Sequence, residues 1–200
     1  CVKHRSGKAS IKMYDKFGQI LRIETTSYDV SFFKHYRKVE HRDGTSDMKN
    51  ASLKKSIYSL SALRNLMHDA NRRYLVFLSD LEDTSGGVKH LHELSHPTRV
   101  GRHSYRGFNL FDATDLALLE TLLNGGFNIS GLRNRDLRCL LPGTSSAQIS
   151  RMLKRLLTHK LIKKVGHTYK YYLTALGRRV IMAGLGIRRF FIVNIRLTHC

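Results

Sequence analysis

The sequence predicts an α+β chain: an N-terminal β-hairpin region with a long helix, followed by a domain of three helices, a two-stranded ribbon and a last helix. Three observations carry this. Residues 10–26 alternate apolar and polar side chains about a Phe17–Gly18 turn, the period of two that marks a half-buried strand pair. Residues 59–83 repeat apolar side chains at steps of three and four, the period of an amphipathic helix. Residues 112–181 then switch between these periods in a fixed order, with a cap or a glycine near each change.

The elements follow in order. In "SIKMYDKFGQILRIETT", Ile11, Met13, Ile20 or Leu21, Ile23 and Thr25 line one face of a hairpin. "SFFKHYRKVEHRDGTSDMKN" holds a second, with its turn at Arg42–Gly44. The long helix carries Leu60, Leu63, Leu66, Met67, Ala70, Tyr74, Phe77, Leu78 and Leu81, with Ser59 or Ser61 as its cap and "TSGG" (Thr84–Gly87) as its stop. A short helix with Val88, Leu91 and Leu94 follows. Ser95–Gly107 is rich in Pro, Gly and Arg and poor in apolar residues, which is linker composition. The expected boundaries are 1–96 for the N-terminal part, 97–106 for the linker, 107–190 for the second domain and 191–200 for a tail.

The second domain opens with "FDATDLALLETLLNGG", where Asp112 is the N-cap, Asp115 the capping-box partner, and Leu116, Leu119, Leu122 and Leu123 the buried face. "GLRNRDLRCLL" gives a second helix, in which Cys139 reads as a small buried residue. "TSSAQISRMLKRLLTHK" gives a third, capped by Thr144 or Ser145. "LIKKV", a turn at "GHT", and "YKYYL" give the ribbon, and Thr174 caps the last helix. The tail "IRRFFIVNIRLTHC" reads as a strand or helix extension packed on this domain. On the third helix Ile149, Met152, Leu153, Leu156 and Leu157 share one face. Thr144, Ala147, Gln148, Arg151, Lys154, Arg155 and Thr158 share the other, which has no acid.

Charge narrows the partner. Lys plus Arg number 35 against 15 Asp plus Glu, a formal charge of +20, and residues 127–200 hold 15 basic side chains and one acid, Asp136. Such a surface calls for a polyanion, and nucleic acid is the commonest because neutralised phosphates release counterions. No apolar run is long enough to span a bilayer, no signal-peptide pattern is read, and no membrane partner is expected. Cys1, Cys139 and Cys200 share no metal-ligand or disulfide spacing, which suits a reducing, cytoplasmic (nucleoid-associated) location. His90 and His92, two apart on a helix, make poor joint ligands, so neither a metal nor another cofactor is expected. No hydrolase elbow, P-loop or dinucleotide fingerprint is present. The chain opens on Cys1 rather than Met, as the interior of a longer protein would.

Helix, helix, helix, ribbon, helix is the order of a winged helix-turn-helix, whose third helix enters the major groove and whose ribbon touches the backbone or minor groove. Gln148 and Arg151 have the chemistry to pair with adenine and guanine. Thr144, Ser145, Ser146 and the helix N-terminus suit phosphates. Lys154, Arg155, Lys163, Lys164, His167, Thr168, Lys170, Arg133 and Arg135 complete the expected DNA-binding set. "ISRMLKRLLTHKLIKKVGHTYKYYLTALGRRVI" (Ile149–Ile181) resembles the core of MarR-type and ArsR-type winged-helix DNA-binding domains. Leu161 and Ile162 match their strand, and Tyr172, Leu173, Thr174 and Gly177 their entry to the next helix. Lys160 stands where those families carry glycine, which implies a looser helix end.

"IKMYDKFGQILRIE" resembles a hairpin of rolling-circle replication initiators and related transposon proteins, through Tyr14, Asp15, Lys16, Leu21, Arg22 and Glu24. That resemblance implies acids near a divalent metal assisting strand cleavage by a tyrosine elsewhere. The plainer reading is an amphipathic hairpin with Arg22 and Glu24 outward, cross-paired to Asp15 or Lys16. The chain as a whole resembles the C-terminal portion of longer bacterial proteins of mobile-element type. The function expected is double-stranded DNA binding by a regulator, with a second copy of the chain as the partner in a homodimer. The alternatives are a DNA-placing portion of a mobile-element or replication protein, and an RNA-binding or protein-interaction module.

Overall fold

Alternation in the sequence becomes strand pairing in the protein. The structure, a computed structural model, describes residues 1–79 and 85–197. It is α+β, with small antiparallel sheets and seven helices among the described residues. It divides into two compact units. The first holds residues 1–75 and 125–130, and the second holds the described residues among 76–124 and 131–200.

In the first unit β1 (Val2–Ser6), β2 (Ala9–Lys16) and β3 (Ile20–Ser27) form one antiparallel sheet in that order. β2 and β3 are the expected hairpin, with Met13 opposite Ile23 and Tyr14 opposite Arg22. Lys16 pairs with Ile20, so Phe17, Gly18 and Gln19 connect the strands; Phe17 and Gly18 both lie at positive φ, 61° and 69°, and the Gln19 amide donates to the Lys16 carbonyl at 3.2 Å. β1 is not legible beforehand, because "VKHRS" is polar after Val2 and borrows its order from pairing with β2. β4 (Lys34–Glu40) and β5 (Ser46–Ser52) are the second expected hairpin, with Gly44 at φ 80° in its turn.

α1 (Leu60–Ser79) follows a short 3₁₀ turn, Ile57–Ser59, capped by Ser56 rather than by Ser59 or Ser61. Its expected face at Leu81 and stop at Thr84 lie outside the described residues. Ala70 and Tyr74 on α1 are buried, as are Ala9, Ile11, Phe33 and Leu53. Polar ties join α1 to the sheet: the Thr25 hydroxyl donates to Asn71 Oδ1 at 2.7 Å, and Tyr74 Oη lies 3.1 Å from His4 Nε2. Arg73 donates to the Asn128 and Ile129 carbonyls of the short helix α4 (Phe127–Ser130), at 2.8 and 3.0 Å. These bonds satisfy helix-end carbonyls that have no partner of their own. They help place 125–130 in the first unit, while its neighbours in sequence belong to the second.

In the second unit α2 (Ser85–Ser95) packs along α7 (Ala175–Leu197). Gly87 meets the Arg179 carbonyl so closely that a Cβ would not fit, so these glycines start a helix instead of stopping one. The expected linker is a small hairpin, β6 (Thr98–Val100) with β7 (His103–Tyr105), and the compact units divide elsewhere. Then come α3 (Ala113–Leu122), α5 (Asn134–Leu140), α6 (Ser146–Thr158), β8 (Ile162–Lys164) and β9 (Tyr171–Leu173). α5 starts three residues later than expected because Leu132 is strand-like. It exchanges both backbone hydrogen bonds with Tyr171, each 2.8 Å, adding a third rung beside β9. Leu118, Leu119, Leu137, Ile149, Leu156, Leu161 and Ile181 are fully buried. α7 runs on to Leu197, so most of the expected tail is helix. Among the described residues no helix is long and apolar enough to cross a membrane.

Two local expectations change. Asp112 caps α3 by accepting from the Asp115 amide at 2.8 Å, but the Asp115 carboxylate does not return the bond. It accepts instead from the Asn109 amide and from two arginines. At the end of α6, Lys160 adopts φ 58°. The Lys160 amide bonds the Leu157 carbonyl and the Leu161 amide bonds the Leu156 carbonyl, each at 3.0 Å. That pair is a Schellman motif, with buried Leu156 and Leu161 as its apolar contact. The end is therefore closed without glycine, and the lysine carries the left-handed penalty. Lys160→Gly is expected to raise stability by about 0.5–1 kcal/mol, since relief of roughly 1–2 kcal/mol is offset by the larger unfolded-state entropy of glycine. The midpoint of urea unfolding reads this.

Candidate nucleic-acid interface

The exposed face of α6 begins at its cap. The Ser145 hydroxyl accepts from the Gln148 amide at 3.2 Å, and Gln148 Oε1 accepts from the Ser145 amide at 2.7 Å. This capping box starts the helix, and it commits the Gln148 oxygen that a bidentate adenine contact would use. Thr144 is half-buried and donates to the Leu141 carbonyl at 2.6 Å, so it closes the α5–α6 turn. Ser146 is tied to α5: Asn134 Nδ2 donates to the Ser146 carbonyl and to Ser150 Oγ, at 3.1 and 3.0 Å. The expected hydroxyl and amide contacts at this helix start are thus largely engaged in building the start itself.

Beyond the cap, Ala147, Ser150, Arg151 and Lys154 are exposed. Ile149, Leu153 and Leu156 are buried beneath them, and Met152 and Leu157 are half-buried, as the wheel predicts. Thr158 bonds back to the Lys154 carbonyl.

Arg155 is the correction. It is 8% exposed and does not share the outward face. Its Nη1 and Nη2 donate to the two carboxylate oxygens of Asp115, at 2.6 and 2.7 Å. Its Nε donates to the Arg106 carbonyl and its Nη2 also to the Gly107 carbonyl. The guanidinium lies 3.7 Å from the Phe108 ring centre, and His159 meets the same ring edge-on. Burial of Asp115 opposes its ionisation. The hydrogen bonds from Arg155 and the Asn109 amide, with the charges of Arg155 and Arg106, outweigh that and hold the carboxyl below its ordinary range. Arg155 therefore clamps residues 106–109 and α3 to α6, commits four of its five N–H groups inside the fold and is withdrawn from the outward face.

The ribbon presents the other cations. Lys163 and Lys164, opposite Tyr172 and Tyr171, are exposed. His167 is exposed at φ 54° in the turn. Thr168 shapes that turn, since its hydroxyl donates to the Val165 carbonyl and accepts from the Lys170 amide. Lys170 is half-buried. On α5, Arg135 is exposed and Arg133 half-buried. Asp136 accepts the Arg133 amide at 2.9 Å and lies 3.5 Å from Arg135, so the one acid of 127–200 is already occupied. Cys139 is exposed rather than buried, because α5 is only two turns long and shows Leu137 to the core.

No family model, curated protein or solved structure matches the chain.

In the first unit the β2–β3 hairpin pairs its charges internally. Tyr14 donates to Glu24 at 2.8 Å and Arg22 pairs with the same carboxylate, while Asp15 accepts the Gly18 amide in the turn. The expected cross-pairs to Asp15 or Lys16 do not form: Asp15, opposite Leu21, lies on the other face, and Lys16 stands opposite Ile20 at the turn while Glu24 stands opposite Lys12. The Tyr14 bond, more than any other influence, lowers the Glu24 pKa, and the same bond raises that of Tyr14. Among the described residues no three metal-ligating side chains converge. Sequence reasoning missed Asn134 and the Asp115–Arg155 clamp. A lone acid on an apolar helix face was the available signal for the clamp, and a polar residue at the start of α5 the signal for Asn134.

Proposed function

We propose that the second unit is a winged helix-turn-helix that binds double-stranded DNA, with α6 in the major groove and the β8–β9 ribbon on the phosphates. The observation that carries this is a set of exposed or half-buried basic side chains on α5, α6 and the ribbon, with Asp136, the one acid of 127–200, already engaged: Arg151 and Lys154 on α6, Lys163, Lys164 and Lys170 on the ribbon beside the exposed His167, and Arg135 on α5. A helix with a polar outward face and a basic two-stranded ribbon are the shapes that enter the grooves of a duplex. The Leu132–Tyr171 bridge supports the reading, since its two backbone hydrogen bonds brace the outer side of β9. The set is narrower than composition suggests: Arg155 leaves it, and Thr144, Ser145, Ser146, Gln148 and Thr168 act first on local structure.

The test separates base from phosphate contacts. Arg151→Ala is expected to weaken binding by about 1–3 kcal/mol on a selected site and to relax preference there. Lys163→Ala with Lys164→Ala is expected to weaken all sequences alike and to lower the salt slope by about 2, near 0.9 for each lost phosphate contact. Fluorescence anisotropy across a salt series measures both. Binding that ignores salt, or isotherms unmoved by either change, would sink the reading. Stoichiometry in the same titration tells one bound copy from two.

A further inference from the structure

Beside the basic surface lies a cleft of about 390 Å³ whose lining differs from it. Asn134, Arg135, Ser146 and Ser150 form one side, Tyr169 and Tyr171 the other, and Leu153 also lines it. Tyr169 is 84% exposed on the ribbon turn, and Lys164 Nζ lies 5.9 Å from its ring centre. An aromatic side chain held out in this way buries little apolar area for the fold.

From this cleft we infer a pocket for one unpaired nucleobase in an otherwise paired DNA duplex. The inference rests on the duplex-binding reading above and adds what that duplex carries. Each part of the lining has a use for such a base. The tyrosine rings offer faces for stacking, which is sequence-tolerant because every base has a π-face. Ser150 Oγ accepts from Asn134 and keeps its own O–H as a donor for a base edge. Arg135 lines the cleft as a cation for the flanking phosphate, and Lys164, beside the Tyr169 ring, adds a second positive charge. A fully paired duplex would leave the Tyr169 ring without a partner, since its base faces are covered by their neighbours. Only a base outside the stack presents a face to it. The place is apt, because the cleft lies between the exposed side of α6 and the ribbon, where both proposed contacts converge on one duplex.

Three duplexes of one sequence test this against the full chain: fully paired, carrying a single extrahelical 2-aminopurine, and carrying an abasic linker at that position. The expected result is that the 2-aminopurine probe binds about tenfold tighter than the abasic one, the scale of one base–aromatic stack. Its fluorescence should fall on binding. Tyr169→Ala should remove both the preference and the quench while leaving affinity for the paired duplex unchanged, and Tyr169→Phe should keep both. Equal affinity for the 2-aminopurine and abasic probes, or a quench that survives Tyr169→Ala, overturns the pocket while the duplex reading stands. Failure to bind any of the three probes overturns both.

Discussion

Asp115→Ala is expected to destabilise the second unit by about 3–5 kcal/mol, the cost of removing one partner from a buried ion pair. Asp115 is 1% exposed and holds both Arg155 nitrogens and the Asn109 amide. Without it Arg155 keeps its charge inside the fold with only carbonyl acceptors. Chemical denaturation followed by circular dichroism measures the loss. The double change Asp115→Leu with Arg155→Met is expected to cost less than either single truncation, because it removes both charges and keeps their volume. An additive double change would show that the pair is not coupled. Any loss of DNA binding in Arg155→Ala should track the unfolded fraction and vanish when the folded protein is compared.

The same pair sets an acid limb. The folded Asp115 pKa is depressed, so the unfolded state binds the proton more readily. The stabilisation is full above the ordinary carboxylate value of about 3.9 and is lost as pH falls through the lower folded value. His159 adds a second slope at higher pH. Burial is the largest influence and lowers its pKa, despite its bond to the Arg106 carbonyl. Its contribution is full above the free histidine value of about 6.5 and declines as pH drops toward the folded one. Unfolding free energies in Asp115→Ala should lose the acid limb and keep the histidine one.

Gly177→Ala is expected to cost about 2–3 kcal/mol, in the range of overpacking a close-fitted site. A Cβ there would enter the space of the Leu161 carbonyl oxygen, carbon and Cα, all backbone. That carbonyl is not free to move, since it accepts from the Thr174 amide at 2.9 Å and the Thr174 hydroxyl at 3.1 Å. Gly166→Ala is the control. Its Cβ would meet nothing, and a change within about 0.5 kcal/mol is expected. Similar urea midpoints for the two variants would refute the contact argument.

Residues such as Gly177 and Thr174 show how legible the fold was. The Thr174 cap is visible in the sequence because its bond to the Gly177 amide spans three residues, 2.9 Å apart in the structure. The Leu161 backbone that leaves no room for a Cβ at Gly177 is sixteen positions away and leaves no local mark. The Phe17–Gly18 turn, the α6 wheel and the Ser145–Gln148 box were legible for the same reason: period and capping act within one or two turns. β1, the Leu132 rung and the return of 125–130 to the first unit were not, because each depends on a partner distant in sequence.

By itself the sequence determined the α+β class, most of the elements and the acid-poor second half, since burial period, caps and charge are properties of neighbouring residues. Only the tertiary structure decided which cations face water. Arg155 reads as one more arginine on a basic helix until folding brings Asp115, forty residues earlier, against it. Burying a guanidinium is unfavourable unless a carboxylate and carbonyls satisfy its donors. That condition is met by three-dimensional proximity, which no local pattern encodes.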